Sequence, residues 1–243
     1  MSELGKTHHP RSEEVELALS AFARRVGLDP GEVVRMRQLM KTFELYPAGF
    51  NISSLGPTPR LKWIVTGWAC EVRVLPDSRR QIFSFLLPGD VLLARPIHTR
   101  RPCFVMALTR LECVDVDQLL ASATEGPRAQ LADAMATAAD INEERKFEHI
   151  VRLGQHSAAE RVVHLMLDLR DRLAEVGLVR GDTFRLPLTQ EHLADALGLS
   201  VVHVNRTLRA LRTKGLLEIR FGGVTLLHRQ QLASIAGRAQ PPR

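Results

Sequence analysis

Apolar positions along the chain change their period several times, and each change marks an element. From Ser12 to Val26 they fall at Val15, Leu19, Phe22 and Val26, three or four apart, which predicts a helix. Asp29-Pro30-Gly31 breaks it. Helical spacing resumes over Glu32–Lys41 through Val33, Met36, Leu39 and Met40, and Tyr46-Pro47-Ala48-Gly49 signals a turn. Between about Phe50 and Val116 the runs shorten, rich in Val, Ile, Phe and Trp and punctuated by Gly and Pro. Lys62–Thr66, Cys70–Leu75, Gln81–Leu86 and Phe104–Leu108 read as strands, with Pro76-Asp77-Ser78 as a hairpin turn and Pro88-Gly89-Asp90 as a corner. Many short strands at near-regular spacing predict a small barrel or jelly roll.

Helical character returns over Asp117–Thr124. Gly126-Pro127 then opens a longer helix to about Leu153, with Pro at a tolerated first-turn position. Along it, Leu131, Ala134, Met135, Ala138 and Ile141 form a stripe near the heptad period, dominated by small residues. The stripe predicts a seam between two chains; the alternative is a face laid on the chain's own barrel. It turns polar after Ile141, with Asn142 and Arg145. Gly154-Gln155-His156 reads as an interruption. Ser157 is placed to cap a further helix to about Val176, whose buried face would be Ala158, Val162, Leu165, Leu169 and Leu173. Gly181-Asp182 marks a hairpin tip between Leu178–Val179 and Phe184–Leu186. A second hairpin pairs Leu217–Phe221 with Val224–Leu227 around Gly222-Gly223.

Between these hairpins lies Leu188–Leu211, two short helices joined by a Gly turn. Leu193, Ala194, Leu197, Gly198, Leu199, Val204 and Leu208 supply a small, apolar corner with Gly at the bend, the requirement of a helix-turn-helix. Thr189 is placed to cap the first helix. With Gln190 it occupies an N-terminus whose free N–H groups favour a phosphate. Ser200 is the expected N-cap of the second helix. Val204, Leu208 and Leu211 point inward by spacing; Val201, Val202, Asn205, Arg206 and Arg209 point outward. Arg206 has the chemistry for a bidentate contact to guanine, Asn205 for adenine or phosphate, and Val201 and Val202 for a thymine methyl. His203 is placed for phosphate or sugar. Helices followed by a terminal hairpin describe a winged helix.

Charge fits this reading. The chain of 243 residues carries a formal net charge of +6. From Pro187 onward eight Lys/Arg stand against three Asp/Glu. Such an excess coinciding with a helix-turn-helix points to a polyanion, double-stranded DNA. Met1–Arg11 is polar and basic with no apolar run behind it, against a signal peptide, and no run reaches the ~18 apolar residues of a membrane span. Cys70, Cys103 and Cys113 are three in number and far apart, without zinc or redox spacing. A reducing cytoplasm is the expected compartment.

The segments LGQHSAAERVVHLMLDL (Leu153–Leu169) and LTQEHLADALGLSVVHVNRTLRALRTKGLL (Leu188–Leu217) resemble the Crp/Fnr family of bacterial transcription regulators. WIVTGWACEVRVLPDSRRQIFSFLLPGD (Trp63–Asp90) does so more loosely, and the resemblance covers about residues 33–236. It implies an N-terminal β-roll sensor, a long dimerising helix and a C-terminal winged helix. It also implies homodimers on two-fold related half-sites, and activation through RNA polymerase. Two recognition helices ~34 Å apart would read successive major grooves.

Departures from the family pattern matter equally. Cyclic-nucleotide-binding members carry Gly-Glu soon after Pro-Gly-Asp, then Arg-Ser/Thr-Ala for the cyclic phosphate. Here Val91–Thr109 reads VLLARPIHTRRPCFVMALT and holds neither, which argues against cyclic AMP or GMP. Oxygen-sensing members hold an iron–sulfur cluster on four cysteines, three near the N-terminus; no Cys precedes Cys70. No cofactor or metal is therefore expected. Where cyclic-AMP-responsive members place Arg-Glu stand Val201-Val202, while Arg206 matches their second base-reading Arg, so the operator should differ. Arg95, His98, Arg100 and Arg101, with Arg79-Arg80 across a hairpin, are either a solvated loop or the cradle of an anionic effector. Cys103 and Cys113 are either structural thiols or oxidation sensors.

The resulting expectation is an α+β chain: a cupin-like jelly-roll sensor with flanking helices over 1–126, a dimerisation helix over 127–153 and a winged helix-turn-helix over 154–243. An enzyme on the roll is disfavoured because His98 is the only His between Phe50 and Val116, too few for a metal triad. A winged helix turned protein-interaction module is disfavoured by Arg206, Arg209 and the basic surplus.

Overall fold

The computed structural model describes residues 12–54, 58–95 and 103–238. The chain divides into two compact units, Met1–Lys146 and Phe147–Arg243, so the division falls inside the long helix.

In the first unit α1 (Ser12–Val26) and α2 (Pro30–Leu39) precede the strands β1 (Glu44–Tyr46), β2 (Arg60–Thr66), β3 (Ala69–Val74), β4 (Arg80–Leu86), β5 (Val91–Ala94), β6 (Cys103–Ala107) and β7 (Leu111–Asp115). α3 (Val116–Ser122) and α4 (Glu125–Gln155) follow. The strands form two antiparallel sheets, β1-β7-β2-β5 and β4-β3-β6. The four strands expected from sequence are present, shifted by one or two residues. β1, β5 and β7 are additional: β1 is short, and β5 and β7 are nearly buried throughout, so no alternation marks them.

Alternation along β2 explains why the sheet is covered on both faces. Ile64 joins Tyr46, Leu86, Leu92, Val105 and Leu111 inside the roll. Trp63 and Val65 face the other way, into a second cluster with Leu19 and Phe22 of α1 and Leu119 of α3. The rings of Phe22 and Trp63 meet edge-on, 5.7 Å apart.

Leu131, Ala134, Met135 and Ala138 of α4 belong to that same cluster and are buried within their own chain. The expected inter-chain seam is corrected at these four positions, and Ile141 is half-buried. A narrow stripe of small residues suits close approach to a sheet as well as to a second helix, so spacing alone could not name the partner. The polar end of the stripe has the same explanation. Asn142 Nδ2 donates to Val91 O (2.7 Å), and Arg145 Nη1 donates to Asn142 Oδ1 (3.1 Å) and Asp90 Oδ1 (3.0 Å). Asp90 is buried; Arg25 of α1 donates to the same oxygen (2.7 Å), and Oδ2 accepts from Leu87 N (2.8 Å). The large apolar residues that α4 leaves exposed are Phe147, Ile150 and Val151 near its C-terminus.

The second unit continues α4 with α5 (Ala158–Glu175), β8 (Val179–Arg180), β9 (Thr183–Arg185), α6 (Gln190–Leu197), α7 (Val201–Thr213), β10 (Leu217–Arg220), β11 (Gly223–Leu226) and α8 (Arg229–Ile235). Its sheet has the order β10-β11-β9-β8. Gly154 lies within α4, and the break falls at His156–Ser157 instead. There Ser157 and Glu160 form a capping box, with mutual bonds of 3.4 and 2.6 Å, that starts a new helix. α8 carried no clear sequence signal.

Candidate nucleic-acid interface

The corner of α6 and α7 is fixed by its caps. Thr189 Oγ1 accepts from His192 N (3.1 Å), and His192 Nδ1 accepts in return from Thr189 N (3.3 Å). Sequence reasoning identified Thr189 but missed His192, because a capping box ordinarily has Glu or Gln at that position. Gly198 ends α6 in the left-handed region at φ +62. The left-handed backbone is what calls for Gly; a Cβ there would also lie 3.3 Å from Leu153 Cδ2, close enough that the leucine tip would have to give way slightly. Ser200 Oγ accepts from His203 N (3.2 Å) and starts α7.

Along α7, Val204, Thr207, Leu208 and Leu211 are buried. Thr207 completes its bonding inside the helix by donating to His203 O (2.9 Å). Val202, Arg206 and Arg209, spaced i, i+4 and i+7, form the open face. Val202 is 77% exposed. Among the described residues, no acidic side chain pairs with Arg206 or Arg209. Val201, His203 and Asn205 are half-buried along the edges of that face rather than fully outward. Thr189 and Gln190 are exposed at the start of α6.

Arg161 of α5 braces the corner. Its Nη1 donates to Leu197 O at the C-terminus of α6 (3.1 Å) and its Nε to His156 O (2.8 Å). Nothing in the spacing of α5 flagged this residue. Nearby, the His156 and His164 rings lie 4.9 Å apart, tilted by 31°. Burial, with Arg238 and Arg152 beside it, lowers His164 to about 4. Arg238 Nε lies 3.3 Å from His164 Nδ1, and Arg238 Nη1 bonds Asp171 (3.1 Å).

The first unit holds a cavity of about 310 Å³ lined by Glu71, Arg95, Cys103, Asn142 and Lys146 among others. Lys146 Nζ pairs with Glu71 at 2.7 Å. Arg95 is exposed; His98, Arg100 and Arg101 lie outside the described residues. Arg79 pairs with its exposed neighbour Asp77 (2.7 Å). Cys70 and Cys113 are buried and Cys103 is exposed. Burial pushes the Cys113 thiol far up, which keeps it protonated. Among the described residues no group of three or more His, Cys, Asp or Glu is placed to hold a metal ion, and no helix is long and apolar enough to cross a membrane.

Comparison with known proteins agrees with this geometry. The model of the Crp-like helix-turn-helix domain matches residues 160–235. The chain is 31% identical over 164 residues to the nitrogen fixation regulation protein FixK of Bradyrhizobium diazoefficiens, covering 68% of each. It is 30% identical over 181 residues to the transcriptional activatory protein AadR of Rhodopseudomonas palustris, covering 71% of this chain and 72% of that one. Among solved structures, FixK2 from Bradyrhizobium japonicum aligns with a TM-score of 0.66 at 26% identity, over 83% of this chain and 98% of that one. With the capped corner and its open basic face, these likenesses establish that the chain belongs to the Crp/Fnr family of DNA-binding transcription regulators, which are not enzymes.

Proposed function

We propose that the chain acts in the cytoplasm as a homodimer that lays two copies of α7 in successive major grooves of a two-fold related operator. The observation carrying this reading is the Val202–Arg206–Arg209 face: exposed, cationic and held on a helix capped at its start. Arg206 contacts guanine O6 and N7, Val201 and Val202 meet thymine methyls, and Asn205 reaches an adenine edge or a phosphate. Thr189, Gln190, Ser200, His203 and Arg209 position the backbone. Bound upstream of a promoter, the dimer contacts RNA polymerase and activates transcription.

The two-chain seam runs along the α4 surface that the sensor core leaves uncovered. Phe147, Ile150 and Val151 are its apolar members, since exposed large apolar groups on one helix end favour a second helix over water. The effector, if the cavity takes one, is not a cyclic nucleotide, because Val91–Thr109 lacks the family's phosphate-binding residues. The sensor needs no iron–sulfur cluster.

Arg206→Ala tests the reading. On a duplex selected from random sequence by the wild-type protein it should cost about 1–3 kcal/mol and relax one base position. Unchanged affinity and unchanged base preference would remove Arg206 from the interface.

A further inference from the structure

The wing ends in an unusual turn. Arg220 pairs with Gly223, so the two residues linking β10 and β11 are Phe221 and Gly222, not the Gly222-Gly223 expected from sequence. Both have positive φ, +51 and +73. That pattern is the hairpin turn in which Asn or Asp precedes Gly, because a bulky side chain is strained there. The other hairpin of this unit meets its own requirement differently, with Gly181 (φ +61) as the first residue of its tip and Asp182 as the second, so no bulky side chain occupies the left-handed position. Phe221 is moreover fully exposed, the most exposed of the large apolar side chains described. Strain and exposure both destabilise the free protein, and neither is relieved by a contact among the described residues.

Charge around the tip indicates what relieves them. Gly223 pairs with Arg220 on one side and Arg185 on the other, so both arginines project to the same face of the sheet with no side chain between them. Both are exposed, and Arg220 shares its charge with Glu218 (2.6 Å). An apolar wedge bracketed by guanidinium groups is the composition that minor-groove binders use, cations toward phosphates and an aromatic ring between base steps. Only Lys214, Gly215 and Leu216 separate the wing from the end of α7. We propose that Phe221 is a DNA wedge: it enters the minor groove beside the site read by α7 and unstacks a flanking base step, with Arg185 and Arg220 on the adjoining phosphates.

This inference rests on the DNA-binding reading above, and the experiment separates the two. The full chain is bound to the duplex that the wild-type protein selects from a random pool, with 2-aminopurine placed at successive flanking positions. Wild type should brighten one flanking position on binding. Phe221→Ala should bind about tenfold more weakly and leave that position dark. Phe221→Asn should behave the same on DNA while melting at a higher temperature, because Asn suits the turn; it guards against loss of binding through misfolding. Neither change should alter the salt dependence, whereas Arg185→Ala should lower its slope by about one. Wild-type affinity in both Phe221 variants, with or without loss of transcription through a protein partner, overturns the wedge and leaves the α7 reading intact. A wild-type protein that selects no duplex overturns both.

Discussion

Replacing Asp90 with Ala should destabilise the sensor unit by about 3 kcal/mol, the lower end of the range for removing one member of a buried ion pair. Its carboxylate is fully buried and bonds Arg25 (2.7 Å), Arg145 (3.0 Å) and Leu87 N (2.8 Å). The two arginine side chains are themselves only 10% and 20% exposed, so water does not replace the lost charge fully. The lower end applies because each arginine keeps another partner, Gly89 O for Arg25 (3.3 Å) and Asn142 Oδ1 for Arg145 (3.1 Å). With a urea slope of about 2 kcal/mol per molar, the midpoint should fall by about 1.5 M. Urea unfolding followed by tryptophan fluorescence reads the sensor directly, since Trp63 and Trp68 are both buried there. Asp77→Ala, which breaks the exposed pair with Arg79, serves as the control and should leave the midpoint nearly unchanged. A loss at Asp90 no larger than at Asp77 would refute the view that this carboxylate fastens α1 and α4 to the corner.

Gly198→Ala should destabilise the DNA-binding unit by about 1–3 kcal/mol from its left-handed backbone, and the contact with Leu153 should add to it. Leu153→Ala should recover part of the loss in a thermal melt, and full additivity would sink the steric part of the argument. For His164, the unfolded side chain binds a proton near 6.5 and the folded one only near 4. Its contribution to stability is therefore intact above pH 6.5 and declines as pH falls toward 4. His164→Gln should flatten that segment of the stability profile, and a wild-type profile without the decline would contradict the assignment. Ile150→Asp should shift sedimentation toward single chains while leaving the melting of the sensor unit unchanged. Ala138→Asp should instead unfold that unit, because Ala138 is buried in it.

The helix-turn-helix was legible in sequence because its demands are local. Cap hydroxyls at Thr189 and Ser200, Gly at 198 and the Val204–Leu208–Leu211 stripe lie within one short segment, so spacing alone orients them. Positions decided by distant partners were not legible. The stripe on α4 has the same period whether it meets a second chain or the sheet behind Trp63. Asn142 and Arg145 looked like the end of that stripe until Val91 and Asp90 supplied their partners. Arg161 serves a carbonyl 36 residues away in sequence. At the wing, Gly222-Gly223 is a stronger turn signal than Phe221-Gly222, yet cross-strand register places the bend one residue earlier. The half-burial of Asn205 shows the same limit: helical spacing sets direction, while neighbouring elements set depth.

The two surfaces of α4 have a consequence for how this protein can vary. Substitutions at Leu131, Ala134, Met135 or Ala138 alter an isolated chain, and dilution would not change their effect. On the proposed seam, those at Phe147, Ile150 or Val151 should be silent until copies meet, so their effect should depend on concentration. Mutational tolerance along these 31 residues should thus change character from the first half of the helix to the second, and drift in pairing strength can proceed without eroding the core of the first unit.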